Sequence, residues 1–450
     1  MNNYLNKSLY LVLLTIGFIS LTGIINDWLG NPFDKRIDLL TDLRVKQIQA
    51  AKVITDTVEL TTIDSTIVSL LINEEKITGP VYFEDYTSNH NGIDHLRSSL
   101  RYVKSNKVRI AFYGDSFIEG DILCGSFRDT LQSVFGGHGV GYVPIASEVA
   151  QFRMSIKHSF EGWETYSLVN KKKADAPLGF SGYCFKPYSE NRVTYQSPRK
   201  LSPPFNQLRL FYSSFSPNRL EYSIGDSTSH SLALTANDGL QSITLDINSK
   251  EIHLKFIEPD SLFTYGASLE SNNGIYIDNF AMRGNSGMGL SLIASREIQK
   301  FNAIQDYKLV ILQYGLNVVH EDDSLGYDWY IEKMVRTINH LKEAMPEADF
   351  LLLSVSDRSS NQDGVFATIP AIPTMRDAQR IIAQRTKIMF WDMFTAMGGN
   401  GTMVNFVNAN PPLGAKDFTH LTYQGGKIIS RKLTDALLYE LKKNEKAQVF

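Results

Sequence analysis

A largely apolar, charge-free run of about 18 residues at 8–25 opens the pattern, at the lower end of what a membrane-spanning helix needs. No small-x-small cleavage site follows it, and Asn26-Asp27-Trp28 sets a tryptophan where an interface would hold one. The expectation is an uncleaved signal anchor over 1–28, with a cleaved signal peptide as the second reading. Residues 29–105 then read as a stalk and lead-in helices. Leu39, Leu40, Leu43, Val45 and Ile48 are spaced among charges, and Leu96, Leu100 and Val103 recur at helical intervals after a turn at Asn89-His90-Asn91-Gly92.

From 106 to 150 the pattern is strand, tight turn, helix. An apolar strand over 108–113 runs into Gly114-Asp115-Ser116, and a helix is predicted over 118–135, ended by Gly136-Gly137. From 151 to 274 the period changes to two. Alternating segments at 208–215, 220–224, 231–235, 241–247 and 251–257, divided by Gly, Asp, Asn and Ser, predict an all-β module of sandwich type. From 275 to 450 the longer rhythm returns. Strands are predicted at 275–280, 309–314, 349–355 and 387–391, and helices at 290–301, 327–344, 375–385 and 423–442. Such alternation implies a parallel sheet covered on both faces. The expected fold class is therefore α/β: an αβα three-layer domain built from 106–150 and 275–450, interrupted by the β module at 151–274.

Composition narrows the picture only a little. The chain has 450 residues, more than one ordinary domain, and a net charge of −3, which argues against nucleic acid as a partner. The dense basic run Lys171-Lys172-Lys173 reads as a solvated loop. Two cysteines make no disulfide scaffold, and Cys124, inside a helical pattern, reads as a buried free thiol. No C-x-x-C or His-x-x-x-His pair suggests zinc, so no metal site is expected.

Candidate chemistry sits where an open parallel sheet puts it, beyond the carboxyl ends of strands. Gly114-Asp115-Ser116, Gly284-Asn285 and Gly315-Leu316-Asn317 all fall at such ends, and Asp417-Phe418-Thr419-His420 precedes the last helix. Taken singly these are weak: Gly-Asp-Ser is also a helix-capping turn, and Asp417 also suits a helix cap. As an ordered set they supply the parts for acyl transfer from an ester. Those parts are a hydroxyl nucleophile, a histidine base, a carboxylate to orient it, and donors for an oxyanion.

The ordered set resembles the SGNH/GDSL hydrolases. Gly114-Asp115-Ser116-Phe117 is similar to block I of that family, Arg283-Gly284 to block II, Gly315-Leu316-Asn317 to block III, and Asp417-x-x-His420 to block V. Phe117 replaces the leucine of the family name, and Val318 stands where many members have Asp. The resemblance covers about 106–150 and 275–445 and implies a flavodoxin-like SGNH domain. It also implies Ser116 as nucleophile, His420 as base and Asp417 as its orienter, with an oxyanion hole made by the N–H groups of Ser116 and Gly284 and the Asn317 amide. No cofactor is implied, since Ser–His chemistry needs none.

A β module between blocks I and II, behind a membrane anchor, resembles the arrangement of bacterial peptidoglycan O-acetylesterases. That implies an acylated glycan substrate and a catalytic domain held on the outer side of the bacterial inner membrane. Trp163, Tyr166, Tyr183, Phe185 and Tyr188 are sugar-stacking candidates, although aromatics so spaced also commonly fill a core. Two other readings remain open. One is an O-acyltransferase working with a membrane acyltransferase partner, and the other is a non-catalytic glycan-binding protein.

Overall fold

The computed structural model of the chain describes residues 79–170, 176–198, 202–321 and 326–443. The expected anchor, most of the stalk and the Lys171-Lys172-Lys173 run lie outside them. Among the described residues no helix is long and apolar enough to cross a membrane.

Five strands make the parallel body of the first sheet: β2 (Lys107–Gly114), β12 (Gly274–Ala281), β13 (Tyr307–Gln313), β14 (Asp349–Leu353) and β17 (Met389–Trp391). A two-residue strand, β1 (Glu84–Asp85), pairs antiparallel with β17 at one edge. The spatial order is β1-β17-β14-β13-β2-β12. Every residue of β2 after Lys107 is buried, as is all of β14. A strand buried on both faces reads as a continuous apolar run, which is why these segments are legible in the sequence. Helices cover the sheet in two groups. Helix α2 (Cys124–Phe135) and α6 (Met393–Met397) pack on α8 (Tyr423–Lys443), while α4 (Asp328–Ala344) packs against α3 (Ser295–Gln305) and α5 (Ala371–Thr386). Two further short helices are α1 (Asp94–Leu100) and α7 (Thr402–Asn408).

The helix after β2 starts later than the sequence predicts. Gly120 and Asp121 take left-handed conformations (φ 65° and 63°) inside a short 3-10 turn, so regular helix begins only at Cys124. That break turns the Asp121 carboxylate inward, where it accepts from Arg128 Nη2 at 2.5 Å, Arg153 Nε at 3.1 Å and Asn279 Nδ2 at 2.8 Å. Cys124 and Cys184 are both buried free thiols, and burial pushes both thiol pKa values up.

The chain between α2 and β12 forms nine antiparallel strands in one continuous hydrogen-bonded sheet. They are β3 (Gly141–Val143), β4 (Lys157–Ser167), β5 (Tyr183–Gln196), β6 (Phe205–Ser214), β7 (Asn218–Ile224), β8 (His230–Leu234), β9 (Asn237–Ser249), β10 (Glu251–Ile257) and β11 (Leu262–Glu270). Alternate residues of these strands, such as Leu208 and Leu210, Leu245 and Ile247, and Leu254 and Phe256, share one hydrophobic cluster. The sequence predicts a sandwich from five of the strands. The sheet also takes in β3, which lies ahead of residue 151 and pairs with β11.

This β layer is built against the α/β layer through buried charge. Arg109 of β2 is 2% exposed, pairs with the fully buried Glu270 of β11, and reaches Asp278 Oδ2 of β12 at 3.5 Å. Lys107 Nζ donates to the other Glu270 oxygen at 2.6 Å. Asp278 is further satisfied by Tyr307 OH at 2.6 Å, Gln305 Nε2 at 3.3 Å and the Tyr142 N–H at 2.8 Å. Burial alone would raise the Glu270 pKa, but Arg109 and Lys107 outweigh it and hold the acid down at about 2. The described residues fall within one compact unit.

Candidate active site

The carboxyl end of β2 supplies the first component. After Gly114 the chain leaves the sheet, burying Asp115 completely and leaving Ser116 half-buried at the surface. Asp115 Oδ1 accepts the Phe117 N–H at 2.9 Å, which closes the turn that presents Ser116. Its second oxygen accepts from Asn317 Nδ2 at 2.9 Å. Burial pushes the Asp115 pKa up to about 6, against the opposing bonds from Phe117 and Asn317 and the nearby His420.

Asp417 and His420 arrive from the loop before α8. That loop is pinned by a Gly414–Leu421 bridge and by the Ala415 N–H donating to His420 O at 2.8 Å. Asp417 Oδ1 accepts the N–H groups of Thr419 and His420, each at 3.0 Å, while Oδ2 faces His420 Nδ1 at 2.7 Å. One carboxylate thus shapes the turn and orients the ring. Burial would raise the Asp417 pKa, but those hydrogen bonds outweigh it and hold the carboxyl below its ordinary value. On the far side of the ring, His420 Nε2 lies 2.9 Å from Ser116 Oγ. The three side chains therefore form a continuous hydroxyl–imidazole–carboxylate relay. Such a relay can take a proton from the hydroxyl as it attacks.

The donors expected from the sequence fall at neighbouring strand ends. Gly284 follows β12 in a left-handed conformation (φ 73°) that disfavours any side chain, and its exposed backbone faces open space. Among the described residues neither the Ser116 nor the Gly284 N–H donates to a protein acceptor. Asn317 follows β13, after a turn that needs glycine. Gly315 has φ 115°, and a Cβ there would lie 2.7 Å from Val355 Cγ1. The Asn317 amide donates to Asp115 and, more weakly, to Asn285 O at 3.2 Å.

Several supports carry no signal in the sequence that would have singled them out. Gln379 of α5 clamps two strand ends, accepting the Val355 N–H at 2.7 Å and donating to Tyr314 O at 2.8 Å. Asp115 lies inside the motif yet reads there only as the residue before the serine. A hairpin formed by β15 (Ser359–Gln362) and β16 (Val365–Thr368) buttresses the histidine loop. Phe366 stacks flat on Phe418, with ring centroids 3.8 Å apart and 9° between planes, and the Ser359 N–H donates to Phe418 O at 3.0 Å. Phe418 needs this brace, because it holds a left-handed φ of 55° that costs a non-glycine residue on the order of 1–3 kcal/mol. We expect Phe366→Ala to lower kcat on a small activated ester about tenfold with KM unchanged, and Phe366→Tyr to restore it. Steady-state kinetics check this, and full activity in Phe366→Ala would remove the brace from the account.

The sugar-stacking candidates divide. Phe185 is fully buried in the module core, Trp163 packs edge-on against Phe256 at 5.8 Å, and Tyr188 is exposed. Tyr183 lines a cleft beside the site.

Against known proteins, no family model matches the chain, and no curated protein matches it. Solved structures do. A peptidoglycan O-acetylesterase superposes with a TM-score of 0.67 at 20% identity, over 80% of this chain and 99% of that one. An acetyl xylan esterase (TM-score 0.29, 17% identity, 36% of this chain and 81% of that one) is a much weaker match. So is a family two carbohydrate esterase from Cellvibrio japonicus (TM-score 0.27, 11% identity, 63% and 99%), and neither adds to the argument. The strand order, the strand-end motifs and the first of these superpositions agree: the chain has an SGNH-hydrolase-like fold.

Proposed function

We propose that this protein is a serine esterase that removes O-acetyl or similar short acyl groups from an envelope glycan, with peptidoglycan as the first candidate. The observation that carries the reading is the unbroken relay from Ser116 Oγ through His420 to Asp417, at 2.9 Å and 2.7 Å. In this reading Ser116 Oγ attacks the ester carbonyl as His420 Nε2 takes its proton. The oxyanion gathers at the Ser116 and Gly284 N–H groups and at the Asn317 amide. The hydrogen now directed at Asn285 O, through the longer of that amide's two bonds, is the one that turns to the oxyanion. His420 returns the proton to the departing sugar oxygen, and water then hydrolyses the acyl-enzyme by the reverse relay.

Support for the glycan comes from the likeness in fold to the peptidoglycan O-acetylesterase, and for the location from the charge-free run at 8–25. That run would tether the catalytic domain on the outer side of a bacterial membrane.

The test is acetate release by the protein on p-nitrophenyl acetate and on O-acetylated peptidoglycan. Release from both supports the reading. Release from neither by a folded protein overturns it and turns attention to O-acyl transfer onto an envelope polysaccharide. Asn317→Ala is expected to lower kcat by about 10²–10³ while KM moves little, the usual loss for one oxyanion donor. An equal rise in KM would show a binding role instead.

A further inference from the structure

A cleft of about 650 Å³ opens beside the relay, between the α/β layer and the β layer. Its volume lies in the range of small-ligand clefts, roughly 300–1,000 Å³, and exceeds what a short acyl group fills. One wall belongs to the site itself. Glu119 follows Ser116 by one turn, its N–H donating to Ser116 O at 3.3 Å, and Arg283 immediately precedes Gly284. The two side chains form an ion pair at the mouth, with Glu119 13% exposed and Arg283 60% exposed.

The other wall belongs to the β layer and its lead-in. Glu148 is exposed in the connection from β3 to β4, Phe160 and Ser167 lie on β4, and Tyr183 begins β5. Phe160 is 37% exposed, a large aromatic left partly in water next to His158, whose ring centre is 5.2 Å away. Burial is the main cause of the raised Glu119 pKa; Glu148 raises it further, and Arg283 and His420 pull it down.

This set of groups has a recognisable chemistry. Carboxylates accept from hydroxyls, a guanidinium donates to ring and ester oxygens, a phenol does both, and a flat aromatic face packs on the C–H face of a ring. The acyl end of the substrate needs none of this. We propose that the cleft is the subsite for the saccharide that carries the ester, with Glu148, Phe160 and Tyr183 as specificity-determining residues. The proposal rests on the esterase reading and adds to it the part of the molecule that chooses the leaving group. The β layer then serves as one of the two walls that select the glycan.

The experiment uses the full chain with Phe160→Ala and Glu148→Gln, neither of which touches the relay. On O-acetylated peptidoglycan fragments each is expected to raise KM about tenfold with kcat nearly unchanged. On p-nitrophenyl acetate, too small to reach the cleft, kcat/KM should stay within about twofold, which also shows that the variants fold. Equal losses on both substrates, or no loss on either, overturn the proposal. Calorimetry separates it from the esterase reading. Intact fragments are titrated into Ser116→Ala and into Ser116→Ala combined with each cleft variant. If the parent deacetylates no glycan, the esterase reading fails, and these titrations decide the cleft by themselves. Binding weakened about tenfold by the cleft variants supports it, and equal or absent binding overturns it.

Discussion

Ser116→Ala is expected to lower kcat on p-nitrophenyl acetate by about 10⁴–10⁶ and to leave the fold intact. The size follows from the relay. Without the hydroxyl no acyl-enzyme forms, and what remains is whatever the oxyanion donors and substrate binding give to direct attack by water. The stability change should stay within about 1 kcal/mol, because Ser116 is half-buried and the bond it loses, to His420 Nε2, reaches a ring that solvent also reaches. His420→Ala should cost nearly as much as Ser116→Ala, and the double variant little more than either, since the two act as one unit. A fluorophosphonate probe should add one label to the parent and none to Ser116→Ala. Label retained in the variant, or activity above a tenth of the parent, would move the nucleophile elsewhere.

How much of this is legible in the sequence depends on where each residue finds its partner. The α/β strands are readable because β2, β13 and β14 are buried on both faces and so consist of largely apolar runs, the first two running into Gly114 and Gly315. The strand-end motifs follow from them. In the β layer, β4 and β11 escape for opposite reasons. β4 is exposed or half-buried throughout and carries Glu, Lys, Ser and Thr among its aromatics. β11 is almost wholly buried yet carries Thr264, Ser268 and Glu270, because it runs inside the nine-stranded sheet between β5 and β6, where Thr264 Oγ1 donates to Phe185 O at 3.1 Å and Glu270 meets Arg109 and Lys107 of the catalytic sheet. No local pattern announces that Glu270 will be neutralised by an arginine 161 residues away. The same holds at the site. Asp417 and His420 are three residues apart and readable as a pair, whereas the stack of Phe366 on Phe418 is made by a hairpin of mostly polar and exposed residues with no strong periodicity.

The buried charges between the two layers carry the second large effect. Arg109→Met is expected to destabilise the protein by about 3–5 kcal/mol, read as a shift in urea midpoint at pH 7. The methionine replaces the buried volume, so the loss is electrostatic. Glu270 would be left in a sealed site with Lys107 as its remaining cation, and Asp278 with neutral donors alone from Tyr307, Gln305 and the Tyr142 N–H. The pH dependence gives the claim a sign. Glu270 is held at about 2 against an ordinary 4.5, so its contribution is complete above the unfolded value and is lost as pH falls through the folded one. The deficit of Arg109→Met should therefore be largest near neutrality and shrink between about pH 4.5 and 2, as Glu270 takes a proton and no longer needs the guanidinium. Adding Glu270→Gln should recover part of the loss, because an uncharged partner removes the stranded carboxylate that makes the single variant costly. A deficit below about 1 kcal/mol, or one that does not change with pH, would mean that the two layers are joined by their apolar contacts and that Arg109 only fills space between them.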